Sequence, residues 1–163
     1  MNLGDIMKFS DFICFDAVIP DLASSDRDSV ISELVSALDE AGKLGEGNCR
    51  KITKAVIDRE MEASTGMGKG IAVPHVKHKA VKDVIGTVGL CGTGIDFSAL
   101  DKQPVYSVIL LISPVDFPDR HLQAMGKIFT HIQQEKFRKF LRQCQNAEQI
   151  VDLLKEADED PSL

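Results

Sequence analysis

Four histidines, His75, His78, His121 and His131, are the only side chains here whose unperturbed titration lies near neutrality, so acid/base or nucleophilic work falls most readily to one of them. His75 follows Pro74 at the end of a short apolar run. Before that run comes Gly66-Met67-Gly68-Lys69-Gly70, whose glycines let the backbone approach a ligand closely. His121 falls just after Pro118, in the first turn of an expected helix, where unpaired N–H groups and the positive end of the helix dipole favour an anion. Arg59 sits three residues past Val56 and seven past Ile52, on the apolar stripe of an earlier helix. A guanidinium there is costly unless an anion or carboxylate receives it. An imidazole nitrogen can attack phosphorus directly and form a phosphoramidate that is easily passed on, given a neutral nucleophile and donors for the equatorial oxygens. His75, His121 and Arg59 supply these parts, and Ser64 and Thr65 add hydroxyl donors beside them.

These groups need elements to hold them. Ser25 followed by Asp28 reads as a capping box ahead of Val30, Ile31, Leu34, Val35 and Leu38, which recur at helical spacing up to Gly42. After the Gly45-Glu46-Gly47-Asn48 break, Ile52, Ala55 and Val56 begin a second helix. Ile71 to Val76 is a short strand-like run. Val84 to Cys91 and Val105 to Ser113 read as buried strands central in a sheet, joined by a turn-rich stretch around Gly92-Thr93-Gly94 and Asp101-Lys102. Pro118 opens a third helix carrying Leu122, Met125, Phe129 and Ile132, and Phe137 to Leu141 continue it. Asn146 caps a last helix with Ile150, Val151, Leu153 and Leu154. The segment from Phe9 to Ile19, broken by Asp11 and Asp16, is too short in period to separate strand from helix. The expectation is one α/β or α+β domain over residues 1–156, followed by an acidic, frayed tail at 157–163.

Composition narrows the class. The 163 residues, 44% hydrophobic and 27% charged, suffice for one self-supporting core. A net charge of −6 and a pI near 5.2 lack the basic excess that attracts nucleic acid backbones, and Trp is absent with Tyr106 the lone tyrosine, so stacking platforms are missing too. No apolar run approaches the roughly 20 residues that span a bilayer, and Met1-Asn2-Leu3-Gly4-Asp5 lacks a leader pattern, so the expectation is a cytoplasmic protein without membrane insertion. Cys14, Cys49, Cys91 and Cys144 are dispersed, with neither disulfide nor zinc spacing.

Arg59-Glu60, then Ser64-Thr65-Gly66-Met67-Gly68-Lys69-Gly70-Ile71-Ala72-Val73-Pro74-His75, resembles the active-site segment of the fructose/mannitol-type enzyme IIA domains of the bacterial phosphotransferase system (PTS). The likeness continues through Ile95-Asp96-Phe97, Asp101-Lys102-Gln103-Pro104-Val105, Leu110-Leu111-Ile112-Ser113-Pro114 and His121-Leu122, and the chain looks most like the stand-alone nitrogen-regulatory enzyme IIA proteins. The resemblance implies a mixed β-sheet flanked by helices on both faces, the PTS enzyme IIA type 2 fold, in a single domain. It implies that His75 accepts a phosphoryl group from the histidine phosphocarrier protein, with His121 as the neighbouring active-site histidine and Arg59 holding charge. The group would then pass to an enzyme IIB domain or act as a regulatory signal on a target protein. No cofactor or metal is implied. Two positions depart from the family pattern: Val76 stands where Gly usually follows the histidine, and Lys69 replaces an uncharged polar residue.

Other readings compete. Taken singly, His75 is a hydrogen-bonded structural histidine, His121 a helix-start residue, Arg59 a snorkelling residue or a partner of Glu60 or Glu62, and Ser64 and Thr65 turn residues. His78 and His131 read as solvated surface residues. Gly66-x-Gly68-x-Gly70 matches neither the dinucleotide nor the P-loop glycine pattern, so nucleotide binding is not expected. His75 with His78 could ligate a metal for hydrolysis, but no third ligand is placed. The alternative to a phosphoryl carrier is a binding module that signals through protein contacts, with phosphorylation altering its surface charge.

Overall fold

The computed structural model describes residues 6–163; the Met1–Asp5 segment, read above for a leader pattern, lies outside the described residues. The scaffold is built around β5 (Val105–Ser113), whose apolar run is buried at every position but Tyr106, as a strand covered on both faces must be. One side of β5 pairs antiparallel with β4 (Ile85–Ile95), from Ile85 opposite Ile112 to Ile95 opposite Val105. The other side pairs parallel with two short strands in succession, β2 (Ile71–Ala72) and β3 (His75–Lys77). The expected single run from Ile71 to Val76 is thus two strands. Pro74 has no N–H to give a ladder, and at the break Val73 N–H turns to Thr65 O while Pro74 O accepts from Leu111 N–H. β1 (Gly66–Gly68) pairs antiparallel with β2. Gly68 lies opposite Ile71, leaving Lys69 and Gly70 as a two-residue turn with φ of 59° and 82°, the left-handed pair of a type I′ hairpin.

Alternation along β5 sorts the helices into two layers. Ile109 and Leu111 share one core with Phe9 and Phe12 of α1 (Phe9–Phe12), Ala124, Ile128 and Ile132 of α4 (Pro118–Ile132), Phe137 and Leu141 of α5 (Glu135–Gln143), and Ile150 and Leu154 of α6 (Ala147–Glu159). Val108, Leu110 and Ile112 share the other with Ile31, Leu34 and Leu38 of α2 (Arg27–Glu40) and Ile52 and Val56 of α3 (Cys49–Glu62). The chain is therefore an α/β domain whose mixed sheet carries helices on both faces.

Several local expectations shift. Asp26, not Ser25, caps α2, its carboxylate accepting Ser29 N–H at 3.0 Å. The ambiguous Phe9–Ile19 segment is mainly helical: α1, then a 3-10 turn at Phe15–Ala17, with single bridges from Ile13 and Ile19 to β4. β4 runs past Cys91 to Ile95, with an irregular register between Leu90 and Ile95 at the glycines first read as turn. The third helix stops at Ile132, and α5 starts anew because Gln134 adopts an extended backbone.

The segment at 157–163, expected to fray, carries the end of α6 and contacts the body of the domain. Ala157 to Glu159 form the last turn of α6, Asp158 accepts Phe9 N–H at 2.7 Å and Ser10 N–H at 3.1 Å, and Leu163 is buried. What Leu163 docks on is His131, which is buried rather than solvated; its Nδ1 bonds Leu163 O, and its ring lies among Phe9 and Phe137. Burial holds this imidazole below its ordinary pKa despite the opposing pull of the Leu163 carbonyl. The tail is acidic, but one of its carboxylates, that of Asp158, caps α1 and pairs with Lys127 at 3.3 Å in near-complete burial.

Candidate functional site

Parallel neighbours in a sheet point the same way, so His75, opposite Leu111, faces the α4 layer, as does Ser113, opposite Lys77. Val76, opposite Ile112, faces the other layer and packs there against the α2 and α3 core. The branched side chain that departs from the family pattern is thus absorbed within an ordinary strand. Above the end of β5, Pro118 starts α4, and the first turn of this helix brings His121 over the sheet. The rings of His75 and His121 meet with centroids 5.7 Å apart, tilted by 43°. Residues separated by 46 positions are brought together by one register and one helix start.

Each ring is oriented by one bond. His75 Nδ1 lies 2.8 Å from Val73 O. A carbonyl oxygen only accepts, so Nδ1 carries the proton and the lone pair resides on Nε2, for which the described residues supply no hydrogen-bond partner. His121 Nδ1 lies 2.6 Å from the hydroxyl of Ser113, a residue with no solvent exposure. Burial first, then the proximity of the His75 ring and of the Lys77 ammonium, which disfavour a second charge here, holds His121 below the usual histidine range and favours its neutral form. Ser113 is the partner of His121 that periodicity missed: nothing marks a serine at a strand end as the partner of a histidine in the next helix.

Arg59 is placed differently from the expectation. The apolar stripe Ile52, Val56 continues at Glu60, which is 2% exposed, whereas Arg59 is half-buried at its margin. α3 packs on β3 from the opposite layer, and Arg59 Nη1 donates to Ala63 O at 3.2 Å. It pairs with neither Glu60 nor Glu62 within the described chain. The Glu60 carboxylate instead receives Thr65 N–H at 2.7 Å and the Thr65 hydroxyl at 2.6 Å. Helical spacing of four from Val56 was the signal that would have found it.

Ser64 and Thr65, expected as ligand donors, spend their hydroxyl protons inside the chain. Ser64 Oγ donates to Phe97 O and accepts Gly66 N–H at 3.0 Å, and Thr65 is bound to Glu60. They hold the segment between α3 and β1. Gly66 is required there because a Cβ would come within 2.7 Å of the Ala99 Cβ. His78 stands beside the site, its Nδ1 accepting Ala80 N–H at 3.0 Å, and burial followed by Lys79 and Lys51 lowers its pKa. Among the described residues no group of three His, Cys, Asp or Glu side chains converges as a metal site, and no helix is long and apolar enough to cross a membrane. The four cysteines are free thiols.

The candidate site is thus a half-buried pair of imidazoles, one at the start of β3 and one in the first turn of α4, the first with its outer nitrogen bare. The family model for the phosphoenolpyruvate-dependent sugar phosphotransferase system, EIIA 2, matches residues 12–157, and the chain belongs to this family. Among curated relatives, the PTS system fructose-specific EIIABC component of Bacillus subtilis is 31% identical over 93% of this chain, which spans 24% of that protein. The nitrogen regulatory protein of Bradyrhizobium diazoefficiens is 28% identical over 91% of this chain and 95% of its own length. Of solved structures, nitrogen regulatory protein IIA-Ntr from Neisseria meningitidis superposes with a TM-score of 0.80 at 23% identity, covering 90% of this chain and 98% of that one. Enzyme IIAMTL of Escherichia coli, solved in complex with phosphorylated enzyme IIBMTL, superposes with a TM-score of 0.72 at 17% identity, covering 86% and 95%. The fold is that of the PTS IIA proteins.

Proposed function

We propose that the chain is a phosphoryl carrier that takes the group on Nε2 of His75. The observation that carries this reading is the Nδ1 bond to Val73 O, which leaves Nε2 as the nucleophile beside His121. The Nε2 lone pair forms the new P–N bond as the P–N bond of a phosphohistidine donor breaks, and the donor imidazole leaves with its electron pair. Positive charge then develops on the His75 ring, and its Nδ1–H strengthens the bond to Val73 O. With Ser113 donating to its Nδ1, neutral His121 presents Nε2–H to an equatorial phosphoryl oxygen. Arg59, held only by a partly solvated bond to Ala63 O, is free to swing toward the added negative charge. Ser64 and Thr65 support the site by fixing the loop.

The donor is a histidine phosphocarrier protein, and the recipient is an enzyme IIB domain or a regulatory target; the setting is cytoplasmic. The EIIABC relative and the IIAMTL–IIBMTL complex support the IIB partner, and the nitrogen regulatory relative supports the regulatory one. Exposed Val115, Phe117 and Leu122 around the start of α4 offer such partners an apolar rim beside His121. The test is incubation with phosphoenolpyruvate, enzyme I and the phosphocarrier protein, followed by intact mass. One acid-labile phosphoryl group is expected, absent in His75→Ala; label retained by that variant would move the site elsewhere.

A further inference from the structure

A recess of about 310 Å³ lies between the hairpin turn at Lys69-Gly70, the start of β5 and the outer face of α5. It is remote from the histidine pair: Ser107 on its wall precedes Leu111, the residue opposite His75, by four positions, roughly 13 Å along a strand. Three cationic side chains line it, Lys69, Arg138 and Arg142, against one carboxylate, Asp101. In a chain of net charge −6 this is a local reversal of sign. None of the three cations takes part in an ion pair among the described residues. Asp101 is turned to the backbone, with one oxygen accepting Lys69 N–H and the other Gln103 N–H, each at 3.0 Å.

The wall is built rather than merely charged. The Arg142 guanidinium stacks on the Tyr106 ring at 3.5 Å, which fixes its plane and leaves its N–H edge free. Arg138 is anchored by one nitrogen to Ile132 O at 2.7 Å and keeps its remaining donors. Ser107 is only 3% exposed and lines the floor of the recess. Lys69 holds a left-handed φ of 59°, a conformation costly for a side chain with a Cβ, at the tip of the turn.

We propose that this recess binds a compact phosphate-bearing anion, its oxygens received by the Arg142 and Arg138 forks and the Ser107 hydroxyl, with Lys69 closing over it. The site is independent of phosphoryl transfer at His75. The test is a 1H–15N titration of the full chain with inorganic phosphate, and separately with citrate, at ionic strength held constant with chloride. Saturable shifts of the Lys69, Gly70, Gln103 and Ser107 amides are expected with phosphate, unchanged in His75→Ala. Arg142→Gln, on an exposed helix face, should weaken binding about tenfold, the size of one lost charge-assisted hydrogen bond, and Ser107→Ala should weaken it less. Absence of saturation, equal affinity in both variants, or shifts confined to the neighbourhood of His75 and His121 would overturn the site. Tighter binding of citrate would overturn the phosphate assignment.

Discussion

Replacing Ser113 by Ala isolates the part played by the second histidine. The serine is fully buried, and its hydroxyl 2.6 Å from His121 Nδ1 fixes the ring's rotation and, when it donates, leaves the ring proton on Nε2. Without it, Nδ1 of a half-buried ring is left unpartnered, a cost of about 1–2 kcal/mol. The ring can recover by carrying its proton on Nδ1, which withdraws Nε2–H from the phosphoryl group. Loss of one donor aimed at developing charge costs roughly 100- to 1000-fold in a dry site. His121 is half-exposed, so water replaces part of the lost bond, and we expect phosphoryl transfer to slow roughly 10- to 100-fold. The assay is single-turnover transfer from the phosphorylated phosphocarrier protein, followed by intact mass, in Ser113→Ala, His121→Ala and the double variant. If the serine acts only through the imidazole, the double variant is no slower than His121→Ala. A wild-type rate in Ser113→Ala, or two factors that multiply in the double variant, refutes the reasoning.

Other outcomes follow from the same contacts. Asp158→Ala leaves Lys127 and the first N–H groups of α1 without their buried partner and should cost about 3–5 kcal/mol in urea unfolding, with the phosphorylation stoichiometry intact in the folded fraction. Glu60→Ala should destabilise by about 1–3 kcal/mol through the orphaned Thr65 donors and slow transfer at His75 by loosening the loop, whereas Glu60→Gln should lose less; equal losses would deny the carboxylate its role. His78, His121 and His131 all have lowered native pKa values, so the unfolded chain takes up their protons first. The contribution of these groups to stability is therefore fully present above the unfolded histidine pKa of about 6.5 and declines as pH falls below it, until the native imidazoles also protonate. His131→Gln should flatten part of that decline in equilibrium unfolding.

The elements themselves were legible because they rest on near neighbours. Periodicity marked α2, α3 and α6, β-branched density marked β5 with its observed bounds, and Pro118 marked the start of α4. Errors arose where a residue answers to something distant. Gln134 ends a helix that composition would continue, and Asp158, in the acidic stretch after Glu156, is held by α1 and Lys127. His131, a surface residue by pattern, is sealed by aromatic rings and Leu163.

For the site, the amino-acid order alone determined that a histidine follows a glycine hairpin and a strand, and that another opens a helix. Turn geometry and the helix start are local physics, encoded in Lys69-Gly70 and Pro118 within a few positions. Tertiary structure alone decided that these two rings meet, since their contact depends on the register that sets His75 opposite Leu111 and on the layer in which α4 packs. It also decided which nitrogen is bare, because a tautomer is chosen by the partner of the other nitrogen, here a carbonyl two residues back brought round by the break at Pro74. The exchange of roles on α3, with Glu60 buried and Arg59 at its margin, has the same origin: spacing defines a stripe, and only packing against a neighbour defines its centre.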